Sequence, residues 1–135
     1  MDKAGPYGVL IGKAPLWGGF YASLHRQAGV VIARDAVRTR LGWRIKVLWV
    51  MKVDQTDPVS IEGREVSTGA ALWFEPSDAD PGPSAALDPA HPGAPSENLG
   101  WLNFPSYLYF PGAGCFVLAV ASPGAGWDMT FGFGR

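Results

Sequence analysis

The sequence has a single cysteine, Cys115, among its 135 residues, so no intramolecular disulfide can form and a small bridge-stapled secreted module is excluded. Histidine is almost as scarce. His25 and His91 stand far apart, each with no Cys or second His nearby, whereas metal sites draw on several such ligands at short spacing. No metal and no cofactor are expected. Charge is low as well: Asp, Glu, Lys and Arg make up 17%, against about 25% in an average globular protein. The net charge is −1, which leaves no broad basic surface for displacing counterions from nucleic acid. The densest basic stretch, Arg34, Arg38, Arg40, Arg44 and Lys46, is interrupted by Asp35 and reads as a solvated strand face and loop. No apolar run reaches the roughly 18 residues of a spanning helix, so no membrane span is expected. The opening stretch up to Gly12 has no apolar segment of signal type. Two expectations follow: a cytoplasmic chain, or one whose leader has been removed.

What the sequence does have is apolar residues, 47%, punctuated by 18 Gly and 12 Pro. Apolar content at this level with so little charge argues for a folded chain, and the length suits a single domain over residues 1–135. In residues 42–53, Trp43, Ile45, Val47, Trp49, Met51 and Val53 share one parity, and Arg44, Lys46 and Lys52 the other. Period-two alternation places these sets on opposite faces of a strand. Leu48 and Val50 interrupt the polar face, which is therefore expected to be covered at its middle. Shorter strands are predicted at 59–66, with Gly63 marking a bulge or bend, and at 70–75, 115–120 and 127–133. The last two are joined by a turn at Pro123-Gly124-Ala125-Gly126. Cys115 falls in the apolar run 115–120 and is expected to be a buried, inert thiol. Three further short strands are expected at 7–11, 19–23 and 29–33, with 35–41 a loop or one helical turn.

Residues 76–97 differ in kind, holding six of the twelve prolines. Proline offers no N–H to a ladder, so no central strand can cross this segment, and a long surface loop is expected. The following stretch, 100–110, is rich in aromatics and divided by Pro105. About eight short strands with no amphipathic helix predict an all-β, two-sheet immunoglobulin-like sandwich, with the 43–53 face packed against those carrying Phe116 and Phe131.

An ordered set of short motifs sharpens this reading. Lys46-Val47-Leu48-Trp49, then Pro58-Val59-Ser60-Ile61-Glu62-Gly63-Arg64, Phe104-Pro105-Ser106 and Pro111-Gly112-Ala113-Gly114-Cys115-Phe116 together resemble a group of bacterial exported or lipoprotein-type domains. The resemblance covers about 41–133. It implies an immunoglobulin-type sandwich in the cell envelope, and it supplies no catalytic residues. The chain departs from the group at Asp57, where Gly is frequent, and at the inserted Ala113.

Little else in the sequence points to chemistry. It has no Gly-x-Ser-x-Gly elbow and no phosphate-binding glycine loop. Glu75, Asp78, Asp80 and Asp88 could gather round Ca²⁺, but their spacing fits no calcium loop, and a solvated loop is the expectation. Aromatics are the surplus: six Trp, four Tyr and seven Phe. Trp43 and Trp49 belong to the predicted core. Trp17, Phe20, Tyr21, Trp101, Tyr107 and Tyr109 lie beside Gly and Pro and form the candidate contact surface, able to stack on sugars or anchor a protein, unless they close the ends of the sandwich. The function expected is a non-enzymatic binding or structural domain of the cell envelope with a protein or carbohydrate partner. A subunit of a self-associating or filamentous assembly is the alternative, and a hydrolase a remote third.

Overall fold

A computed structural model describes residues 3–5, 8–21, 24–27, 30–33, 36–77, 79–93 and 100–133, with the backbone alone for 3–5, 8–9, 21, 24–27 and 30–33. Among the described residues there are thirteen strands and no helix: β1 (Lys3–Gly5), β2 (Gly8–Lys13), β3 (Leu16–Tyr21), β4 (Leu24–Gln27), β5 (Val30–Ala33), β6 (Val37–Thr39), β7 (Gly42–Lys52), β8 (Val59–Glu65), β9 (Trp73–Pro76), β10 (Ser84–Leu87), β11 (Trp101–Phe110), β12 (Gly114–Ser122) and β13 (Ala125–Phe133). A seven-stranded sheet runs β1-β2-β3-β7-β11-β9, with β6 also on β7, and a six-stranded sheet runs β10-β8-β12-β13-β5-β4. Pairing is antiparallel except between β13 and β5. The chain is thus an all-β sandwich, immunoglobulin-like in the broad sense of two mainly antiparallel sheets packed face to face.

Alternation along the strands makes the core. Ile45, Val47, Trp49 and Met51 of β7 point inward from the seven-stranded sheet and meet Phe116, Leu118 and Val120 of β12 and Phe131 and Phe133 of β13. Phe110 is the hub. Its ring stacks on Phe133 at 4.4 Å and Phe131 at 5.9 Å, and meets Phe116 edge-on at 5.1 Å. Gly18, paired opposite Trp49, leaves the indole its room, since a Cβ there would sit 2.7 Å from Trp49 Cζ3. Gly63 has the same use on β8: a Cβ would lie 2.7 Å from Leu72 Cδ1, so this glycine admits a neighbour within an unbroken strand.

Several expectations need correcting. The proline-rich stretch is no uninterrupted loop. It contains β10, which pairs with β8 and buries Ala85 and Leu87. β10 itself, Ser84–Leu87, is free of proline and fits between Pro83 and Pro89 at the edge of its sheet. The stretch divided by Pro105 is β11, ten residues paired with β7 from Trp101↔Lys52 to Phe110↔Trp43. The Asn103 carbonyl accepts from Gly93 N at 3.0 Å, on the side away from β7. Two residues on, Pro105 presents its ring nitrogen to that same side, and β9 pairs only from Ser106 onward, so no ladder donor is lost. Residues 37–39 of the expected loop or helical turn form β6. Val53 and Val66 lie beyond β7 and β8 and are exposed. Cys115 is exposed, because Phe116, Leu118 and Val120 take the inward parity and leave the thiol on the outer face. Tyr7, Ala22, Ser23, Gly29 and Asp35, at the ends of the expected amino-terminal elements, lie outside the described residues.

Candidate functional site

The outer face of the seven-stranded sheet holds most of the sequence-predicted contact residues. Period-two alternation puts Arg44, Lys46, Leu48, Val50 and Lys52 of β7 on this face. With them lie Trp17 of β3 and Trp101, Asn103, Pro105, Tyr107 and Tyr109 of β11. Leu10, Trp17 and Val50 are buried together, with Leu48 and Trp101 packed against them, as the apolar interruption in β7 predicts. Trp17 meets Trp101 edge to face, with centroids 5.5 Å apart.

Exposure sorts the six aromatics. Trp101 and Tyr107 are half-buried and accessible on the face. Trp17 and Tyr109, at 7% and 5% exposure, lie on the same side but are covered by their neighbours. Phe20 points the other way, stacked on Phe131 at 5.0 Å and edge-on to Trp49, so it closes the core. The Tyr21 side chain lies outside the described residues.

Sequence reading missed the cations that accompany these rings. The Arg44 guanidinium carbon lies 4.6 Å from the Tyr107 ring centroid, and Lys52 Nζ lies 5.4 Å from that of Trp101. A third such pair, Arg38 with Trp43 at 5.4 Å, sits where β6 joins β7. Each contact is worth about 0.5–1 kcal/mol at an exposed site. The register carried the signal: Lys52 faces Trp101, and Arg44 is one step diagonal to Tyr107.

Beside Tyr107 a groove of about 330 Å³ is lined by Lys46, Glu75, Pro76, Ser77, Ala79, Pro105, Ser106 and Tyr107. The Ser106 hydroxyl donates to the Glu75 carbonyl at 3.1 Å, tying β11 to β9. Tyr109 Oη donates to Glu75 Oε1 at 2.5 Å. Burial, and then this bond to a carboxylate, push the Tyr109 phenol above its ordinary value of 10.0. The stability linked to this shift is fully present below the unfolded-state value. It is lost as pH rises past 10 toward the folded value, because the unfolded chain sheds the proton first. Tyr109→Phe is expected to cost about 1 kcal/mol at neutral pH, the net worth of one hydrogen bond, and to flatten the decline above pH 10. Urea titrations at both pH values measure this. An unchanged alkaline slope would dissociate Tyr109 from it.

A second cavity of about 210 Å³ adjoins the first and is lined in part by Ser77, Asp88, His91, Gly93 and Phe104. Asp88 Oδ1 accepts from Ala90 N at 2.9 Å, and Asp88 Oδ2 lies 3.2 Å from His91 Nδ1. The bond from Ala90, then His91, holds the Asp88 carboxyl below its ordinary value. The His91 side chain is 79% exposed, so the pair closes a surface turn in water. Glu75 is engaged by Tyr109 and Asp88 by this turn. Asp78 and the His25 side chain lie outside the described residues, and among the described residues no group of three or more His, Cys, Asp or Glu could hold a metal ion.

Comparison with family models, with curated proteins and with solved structures finds no match to this chain.

Proposed function

We propose that this chain is a non-enzymatic binding or structural domain of the cell envelope, contacting a glycan or a protein through the outer face of its seven-stranded sheet. The observation that carries the reading is the pair of accessible rings on β11, Trp101 and Tyr107, each with a cation over it, and the groove beside Tyr107. Rigid aromatic side chains on a sheet give contact area at low entropic cost, and they recur as anchors of recognition surfaces. The envelope location draws on the resemblance across 41–133 alone. A hydrolase is a weaker reading. Ser77, Asp88 and His91 line one cavity, but the His91 side chain is largely exposed and its contact with Asp88 closes a surface turn.

A glycan-array screen of the folded chain, followed by tryptophan emission on any hit, tests the proposal. Saturable binding that shifts or quenches emission, and that weakens about tenfold in Trp101→Ala, is the expected result. A blank array from folded protein would remove the glycan branch and leave a protein partner. Self-association is the other reading. It is favoured by the edge that β10 presents, and light scattering after size exclusion reads it directly.

A further inference from the structure

We infer that the ligand of this face is an acidic polysaccharide, a chain bearing carboxylate or sulfate groups, bound by cations that the aromatic rings hold in place. The inference rests on the binding face proposed above and goes further by giving the rings a different task. A neutral sugar stacks on a bare ring. Here the accessible rings are already capped, Tyr107 by the Arg44 guanidinium and Trp101 by the Lys52 ammonium. They are mounts for positive charge more than platforms for sugar.

A cation seated on a ring loses little of its ability to meet an anion. The guanidinium carries five donors in a planar fork suited to carboxylate and sulfate, and charge-assisted bonds of this kind are about twice as strong as neutral ones. Holding the side chain against a ring also reduces the conformational freedom it would otherwise give up on binding.

The placement suits a linear polyanion. Arg44, Lys46 and Lys52 lie on one strand and one face, and eight residues at about 3.4 Å each give a strip of about 27 Å. That is long enough for several sugar units and as narrow as a single polysaccharide chain. Among the described residues of the strands forming this face, the one acidic side chain is Glu75, whose carboxylate accepts from Tyr109. The rest of the molecule is acidic on balance, since eight basic residues remain there against eleven acidic ones. On the outer face of the opposite sheet, Glu62 and Asp128 flank Ala119 on adjacent strands, with Arg64 beside them. The field therefore steers a polyanion to the seven-stranded sheet. Beside Tyr107, the groove adds Ser77, whose hydroxyl is the kind of partner that sugar hydroxyls take.

The test is calorimetric titration of the full chain with an oligogalacturonate and a sulfated oligosaccharide, against a neutral β-glucan oligosaccharide, at about 0.02 M and about 0.5 M salt. The acidic chains are expected to bind, and to bind at least about tenfold more weakly at the higher salt. Arg44→Gln and Lys52→Gln should each weaken them about tenfold, and Tyr107→Leu by a similar factor through loss of the mount. Arg64→Gln on the opposite face should leave affinity unchanged, and thermal melts establish that every variant is folded. Salt-independent binding of the neutral oligosaccharide would overturn the inference while leaving the binding face intact. Failure of every glycan, with an acidic peptide or a second copy of the chain engaging Arg44 and Lys52 instead, would overturn the acidic polysaccharide but not the face. Indifference of these residues to every partner would overturn both.

Discussion

Replacing Phe110 with alanine is expected to lower the free energy of unfolding by about 3–5 kcal/mol. The ring is fully buried and touches three aromatics from the opposite sheet, so its removal takes away transfer energy and leaves a cavity between the layers. Against a total stability of about 5–15 kcal/mol for a domain, this is a large fraction. Urea denaturation with a fixed slope reads it directly, and Phe110→Leu should retain much of what alanine loses. A cycle pairing Phe110 with Phe133 should show a coupling of about 0.5–1.5 kcal/mol from the stacked geometry. A loss below about 1 kcal/mol for the alanine variant would mean that this stack does not hold the two sheets together.

Gly42→Ala is expected to cost about 3 kcal/mol or more, from two separate causes. Its φ of +126° is a conformation that L side chains rarely adopt, and a Cβ built there would approach the Phe110 carbonyl oxygen to 2.5 Å. Because the obstacle is backbone, it can yield only by moving the end of β11 away from the start of β7. Gly69 separates the two causes. Its φ is +76°, but nothing lies within 4 Å of the Cβ position, so Gly69→Ala should cost about 1 kcal/mol from conformation alone. Equal losses in the two variants would remove the backbone contact from the explanation.

How far the sequence revealed this structure depended on how local each signal was. β7 was legible because its inward parity is apolar without a break from Trp43 to Met51, and even the covered patch at Leu48 and Val50 could be anticipated. β11 was not, because Pro105 normally interrupts a ladder. It is admitted here only because the nitrogen falls past the end of β9, a fact of register between segments about thirty residues apart. Cys115 was given the correct parity but the wrong depth, since Val117 and Ala119 make the outer face of β12 look as apolar as the inner one. The same division runs through the candidate site. Trp101 and Tyr107 could be named as accessible rings from their glycine and proline neighbours. Their cations could not, because Arg44 and Lys52 meet them only through the β7–β11 pairing.

That pairing also sets a timetable for biosynthesis. β7 is complete at Lys52, but its longest ladder partner begins at Trp101, 49 residues later. At about 5–20 residues per second, a ribosome leaves one edge of β7 without its partner for about 2–10 s. The segment left waiting carries Ile45, Val47, Trp49 and Met51, the kind of apolar strand that pairs with whatever is nearby. Chains released before β11 has emerged should therefore accumulate as aggregates or engage chaperones, and slowing translation should raise their share.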